Sequence, residues 1–210
     1  MIQGSDEWKM ARLGKVGASQ IADLMAKTKT GWGASRSNLM AAKLAERLTG
    51  TLADSFTNAA MEWGTATEAE ARNAYSFYAS ADVEQVGFVD HPVIAMTGAS
   101  PDGLIGGAGL VEIKCPNTAT HIDTLLYDKV PSKYILQMQW QMACTDRLWC
   151  DFVSYDPRMP EALRMWQRRV GRDTAKIEEI SAAVVEFLAE LDQKEAALRK
   201  LAGEGLAVAA

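Results

Sequence analysis

Apolar positions recur along the chain with two periods, and the places where the period changes divide it. Ile21, Leu24 and Met25 have helical spacing behind Gly17-Ala18-Ser19, which predicts a short helix with Ser19 as its N-cap. Residues 28–37 are rich in Gly, Ser and Thr and read as a loop. A second helix is expected from about Ser37 to Leu48, stopped by Gly50, and a third from about 59 to 79. The period then drops. Residues 83–89 and 93–97 are short β-rich runs broken by His91-Pro92, and Gly98-Ala99-Ser100-Pro101 reads as a turn. Residues 102–105 and 110–115 are expected to be the strands of a hairpin around Gly106-Gly107-Ala108-Gly109. Helices return at about 118–128 and 133–144, and strands at about 147–155 and 163–170.

The last segment, about 172–202, reads as one long helix. Its apolar residues Ile177, Ile180, Val184, Phe187, Leu191, Leu198 and Leu201 follow a seven-residue repeat broken at Lys194. A helix packed on its own domain is favoured over a coiled coil. The order of elements predicts an α/β (α+β) fold: a central mixed β-sheet flanked by helices, with a long C-terminal helix. No internal repeat is visible. One domain over 1–210 is expected, with its core at about 8–170.

Composition narrows the function classes. Hydrophobic residues make up 48% and charged residues 23% of the 210, as in ordinary globular proteins. No apolar run is long enough to span a bilayer, and no secretory signal is visible at the N-terminus. The three cysteines, Cys115, Cys144 and Cys150, read as reduced, buried small hydrophobes in a cytoplasmic protein. The net charge of −5 excludes a uniformly basic nucleic-acid binder. Its distribution is uneven: residues 1–50 hold eight Lys/Arg and four Asp/Glu, whereas 51–112 hold one Arg and nine acids. A concentrated acidic segment beside a basic one fits a cation site next to an anion-binding surface, or a solvated acidic helix face.

The sharpest chemical feature is Ser100-Pro101-Asp102-Gly103 followed by Glu112-Ile113-Lys114. Side chains two apart on a strand share a face, so Glu112 and Lys114 can converge with Asp102 at one end of the hairpin. Adjacent carboxylates repel unless a proton or divalent cation relieves them. Oxygen ligands without His or Cys suit Mg2+ or Mn2+, and a neighbouring Lys can position a water. A solvent-exposed charged hairpin would show the same pattern.

At this point the chain resembles a family. P-D, a spacer and E-x-K form the signature of the PD-(D/E)xK nucleases. The flanking segments are similar to those of the bacteriophage lambda exonuclease, or YqaJ-like viral recombinase, group. Arg12 through Ser19 resembles its R-x-x-x-[IV]-[GT]-A-S element. Gly64, Glu68 and Ala71 resemble its G-x-x-x-E-x-x-A helix, and Ser100 through Leu104 its S-P-D-G-L. Tyr134, Gln137 and Gln139 resemble its Y-x-x-Q-x-Q helix. The matches run in order over about residues 8–155.

The resemblance implies a restriction-endonuclease-like core and a Mg2+-dependent exonuclease. Such an enzyme digests one strand of linear double-stranded DNA from 5′ to 3′, leaving a 3′ overhang for strand annealing. It implies Asp102, Glu112 and the backbone carbonyl of Ile113 as metal ligands, Glu68 as a second-metal carboxylate, and Lys114 as the group that activates water. Two Mg2+ ions per site are expected, with Mn2+ able to substitute. Gln137 is expected near the water or scissile phosphate, with Gln139 and Gln141 in the same neighbourhood. Arg12, Ser19 and Ser100 are expected to form a 5′-phosphate pocket. Trp8 and a loop-tip Arg36 are candidate DNA contacts. Family members are commonly ring-shaped trimers that work with a single-strand annealing protein in a phage-infected bacterial cytoplasm.

Two other readings share these residues. A Cas4-like or restriction-type nuclease would keep the same centre, but the cysteine quartet of the first is missing and the Arg12/Ser19 element argues against the second. A non-catalytic DNA-end-binding protein would have no need of Asp102, Glu112 and Lys114 together. His91 and His121 match no motif.

Overall fold

The structure is a computed structural model. It describes every residue except 30, 53–58, 209 and 210, and the side chains of all of these but 59–61 and 204–208.

The N-terminal third holds α1 (Asp6–Arg12), strand β1 (Val16–Gly17), a 3-10 turn at Ala18–Gln20 and α2 (Ile21–Leu24). Ser5 caps α1 by accepting from Trp8 N. A small hairpin, β2 (Lys27–Thr28) and β3 (Gly31–Trp32), then leads into α3 (Ala34–Thr49). α3 ends at Gly50 in the left-handed conformation, as the sequence predicted. It begins earlier than predicted, because Gly33 takes the N-cap position and Ala34, Ser35 and Arg36 join the first turn.

After α4 (Ala59–Ala79) come β4 (Val83–Glu84), β5 (Val89–Asp90), β6 (Thr97–Ala99), β7 (Gly103–Ile105) and β8 (Gly109–Lys114). Two expectations are corrected here. Residues 93–96 form bends and turns, with Met96 at φ +62°, so the β-rich run 93–97 is a strand only at its last residue. The expected turn at 98–101 instead begins inside β6, which pairs in parallel with β1 and antiparallel with β5. Then follow α5 (Thr118–Tyr127), α6 (Ser132–Thr145), β9 (Trp149–Tyr155), β10 (Met165–Gly171) and α7 (Thr174–Val208).

The principal sheet has the order β10-β9-β8-β7-β4. β8 pairs antiparallel with β7 and parallel with β9, so the sheet is mixed. The β7–β8 hairpin has the predicted form. Two of its glycines are fixed by close approach: a Cβ at Gly109 would lie 2.2 Å from the Trp149 ring, and one at Gly103 would lie 2.2 Å from Val83 Cγ1.

β8 is buried on both faces, unlike a surface hairpin. Val111, Ile113 and Cys115 pack under Ala71 and Tyr75 of α4. On the opposite side Leu110 packs with Met138 and Met142 of α6 and with Phe152 of β9. A third core joins α2, α3, Trp140 of α6 and α7. The seven-residue stripe of α7 supplies it: Ile177, Ile180, Val184, Phe187 and Leu191 are buried, while Leu198 and Leu201 are exposed. α7 is therefore packed on its own fold over its first five turns, as favoured. Among the described residues no helix is long and apolar enough to cross a membrane.

Candidate active site

β8 carries Glu112 on the face turned toward α6, in a setting that is otherwise apolar. Glu112 is 0% exposed. Its polar partners come from α6 and from its own strand. Gln137 Nε2 donates to Oε1 at 2.6 Å, and Gln141 Nε2 donates to Oε2 at 2.6 Å. Lys114 Nζ lies 2.5 Å from Oε1. Gln137 and Gln141 are four apart on α6, so they share a helix face. Gln139 faces away: its amide donates to the Gly171 carbonyl and accepts from Asp173 N, fixing the start of α7.

Asp102 precedes β7, and the Gly103–Val111 pairing brings it opposite Glu112. Its Oδ2 accepts from Ile113 N at 2.6 Å. Burial first, and the Glu112 charge second, hold the Asp102 carboxyl well above its usual range. Burial works against the charge on Lys114, but Glu112 and Asp102 outweigh it and drive its pKa upward, so the ammonium is kept. The hairpin brings together a buried carboxylate, a half-buried one and a single ammonium, as the sequence placed them. Such a site suits a divalent cation, and Asp102, Glu112 and the Ile113 carbonyl are hard oxygen donors. Among the described residues no cluster of three or more His, Cys, Asp or Glu side chains is gathered closely enough to hold a metal. Glu68 of α4 is near enough to raise the Asp102 pKa further, but its Oε1 is engaged by Arg72 at 2.5 Å.

Two cavities flank this centre. The smaller, about 170 Å³, is lined by Trp8, Arg12, Ser19, Ser100 and Gln137 together with Gly17 and Phe88. It brings together all three residues of the expected phosphate pocket. Trp8 Nε1 donates to Ser100 Oγ at 2.9 Å, and the Arg12 guanidinium stacks 3.9 Å from the centre of the Trp8 ring. Trp8 is thus a wall of the pocket. Ser19 does not cap a helix as predicted. It lies within the 3-10 turn, whose N-cap is Gly17, and the Gly17 N–H is taken by Gln20 Oε1 at 3.0 Å.

The turn after Arg12 is gripped from α3, which the sequence did not reveal. Gly14 N donates to Glu46 Oε2 at 2.9 Å, and its carbonyl accepts from Arg47 Nε at 3.1 Å. Lys43 Nζ pairs with Glu46 at 2.8 Å, both being buried. Gly14 sits at φ +68°, where a Cβ would also meet Arg47 Cγ at 2.8 Å.

The larger cavity, about 580 Å³, opens on the other side. Glu68, Ile113, Lys114, Cys115, Asn117, Lys133 and Tyr134 line it. Burial pushes the Cys115 thiol up to about 12, so it stays protonated. All three cysteines are free and buried, as expected.

Arg36 is corrected. It lies in the first turn of α3, not at a loop tip, and is 2% exposed. It pairs with Glu190 at 3.1 Å and Glu186 at 3.6 Å on α7, between the rings of Trp32 and Phe187. Its partners are about 150 residues away in sequence, and no local pattern marks them.

A mixed sheet flanked by helices, with an Asp-Glu-Lys centre where the β7–β8 pair begins, defines a protein of the restriction-endonuclease-like fold. The chain belongs to the YqaJ-like viral recombinase family, whose domain matches residues 7–148. It is similar to LHK-Exo, an alkaline exonuclease from Laribacter hongkongensis, at 50% identity and a TM-score of 0.89, over 95% of this chain and 99% of that one. The complex of LHK-Exo with dAMP gives 50% identity and a TM-score of 0.90 over the same shares. A phage-related exonuclease from Haemophilus somnus 129PT, at 16% identity, shares the fold with a TM-score of 0.73 over 88% of this chain and 96% of that one. No curated protein matches. Family and fold together support a nuclease role.

Proposed function

We propose that this chain is a Mg2+-dependent exonuclease that digests the 5′-ended strand of linear double-stranded DNA. The product would be a 3′ overhang suited to recombination by strand annealing. The observation that carries the reading is the position of the Asp102–Glu112–Lys114 trio, anchored on the buried Glu112, between a small pocket walled by Arg12 and a cleft of about 580 Å³. The small pocket suits a terminal phosphate, which carries more charge than an internal diester. The strand then runs past the trio, and the cleft receives the rest of the duplex.

Asp102, Glu112 and the Ile113 carbonyl would hold one Mg2+, and Glu68, released from Arg72, would serve a second. Bound there, Mg2+ would supply Lewis acidity toward a water and toward the phosphate under attack. Lys114, fixed by Glu112, orients that water. Gln137 and Gln141 fix the Glu112 carboxylate so that its geometry is set before substrate arrives. Arg12, Ser19 and Ser100 grip the 5′ phosphate and make the strand that bears it the one cut.

The reading includes one domain over 1–210, action in a bacterial cytoplasm, a ring-shaped homotrimer around the duplex and a single-strand annealing partner. Support for the ring lies in the charge: the chain is acidic overall and its basic excess is confined to residues 1–50, so several copies are needed to surround the DNA with cations. The test is nucleotide release from linear and covalently closed circular duplexes with Mg2+ or EDTA. Linear duplex with Mg2+ alone should be digested, and Asp102→Ala should lose the activity. A folded Asp102→Ala protein with wild-type activity would overturn the assignment.

A further inference from the structure

We propose that Lys133 contacts the first phosphate on the 3′ side of the scissile bond and so positions the strand for cleavage. The inference rests on the exonuclease reading above and extends it to a residue outside the motifs.

Three cationic or anionic side chains line the larger cavity near the centre, and two of them are committed. Lys114 is held by Glu112 at 2.5 Å, and Glu68 by Arg72 at 2.5 Å. Lys133 is the third. Its ammonium is 4.7 Å from the centre of the Tyr134 ring, whose centre is also 5.3 Å from Lys114 Nζ. Both ammoniums thus gather around the Tyr134 ring, which keeps Lys133 beside the reacting centre. Lys133 is exposed, and among the described residues it forms no ion pair. An ammonium over an aromatic face leaves its donors free for an incoming anion.

The order of the cavities gives the polarity. Gln137 lines the small pocket and is bonded to Glu112, whereas Ile113 and Lys114 line the cleft. A strand whose 5′ phosphate lies in the small pocket crosses the trio and enters the cleft beyond the bond that breaks. The cation on that wall therefore meets a phosphodiester that remains on the duplex. Contacts to such phosphates set register without reading sequence.

The experiment compares wild type, Lys133→Ala and Lys133→Arg on 5′-phosphorylated linear duplexes. One duplex is natural. The other carries an uncharged methylphosphonate at the linkage next after the scissile one. Wild type should lose about tenfold in kcat/KM on the neutral linkage. Lys133→Ala should be slower by a similar factor on natural DNA and lose little more on the neutral one. Lys133→Arg should restore most of both rate and discrimination. In EDTA, anisotropy of the same duplexes should show the slope of log affinity against log salt falling by about one for Lys133→Ala. Losses that multiply across the variant and the methylphosphonate, or a salt slope unchanged in Lys133→Ala, would overturn the proposal. If wild type digests neither duplex, the exonuclease reading fails, and the EDTA binding arm still decides whether Lys133 meets that phosphate.

Discussion

Gln141 donates to Glu112 Oε2 at 2.6 Å from one helical turn beyond Gln137, while its own Oε1 is buried without a partner among the described residues. Removing the side chain therefore has opposed effects. Gln141→Leu deletes a charge-assisted hydrogen bond to a buried carboxylate, worth about 1.5–3 kcal/mol, but also deletes an orphaned acceptor that costs about 1–3 kcal/mol. Stability should change by only about 1 kcal/mol, whereas kcat should fall by one to two decades as Glu112 loosens. Urea denaturation and single-turnover digestion, with Mn2+ titration by calorimetry, check the split. A variant with wild-type rate and wild-type Mn2+ affinity would refute the positioning role.

Asp102 links metal binding to stability. An acid whose folded pKa is raised holds more protons when folded, so metal-free stability falls as pH rises above the ordinary value of 3.8 and levels off beyond the raised pKa. Asp102→Asn removes the charge and leaves an acceptor for Ile113 N. In EDTA at about pH 8 the variant should melt a few degrees above wild type, and the difference should shrink toward pH 4. Mg2+ should stabilise wild type and not the variant. Thermal unfolding across that range checks this. A wild type that melts higher than Asp102→Asn in EDTA at pH 8 would contradict it.

Arg36 ties α3 to α7 and is enclosed by Trp32 and Phe187. Arg36→Ala should cost roughly 2–4 kcal/mol, because it removes a buried cation from carboxylates that remain partly in solvent. Duplex affinity of the folded fraction should stay within twofold. Chemical denaturation and fluorescence anisotropy separate the two. Undiminished stability with weakened DNA binding would restore the loop-tip expectation in place of the structural tie.

Arg12 is set against Trp8 and followed by the Gly14 turn that Glu46 and Arg47 hold. Arg12→Ala should slow digestion of a 5′-phosphorylated duplex by about one to two decades and leave a 5′-hydroxyl duplex nearly unaffected. Equal slowing on both ends would make Arg12 a general contact.

The centre was legible because its parts are close in sequence. Asp102, Glu112 and Lys114 lie on one hairpin, and period-two alternation fixes their common face. The α6 glutamines were only half legible. A spacing of two reads as one polar stripe, but two helical steps turn by about 200°, so Gln139 leaves the face that Gln137 and Gln141 share. β6 was hidden because Gly98-Ala99-Ser100-Pro101 carries turn residues, and because its parallel partner Val16 lies 81 residues before Thr97, the residue it pairs with. Distance likewise hid the Arg36–Glu190 tie and the hold of Glu46 and Arg47 on Gly14, whose partners are brought together only by folding.

The most direct test of the account is digestion of a linear duplex labelled at either the 5′ or the 3′ end of one strand, followed in time with Mg2+. The account predicts that the 5′ label appears first as mononucleotide, while the 3′ label stays on a long, steadily shortening strand. Early release of the 3′ label, or internal cuts that also open a closed circle, would contradict it.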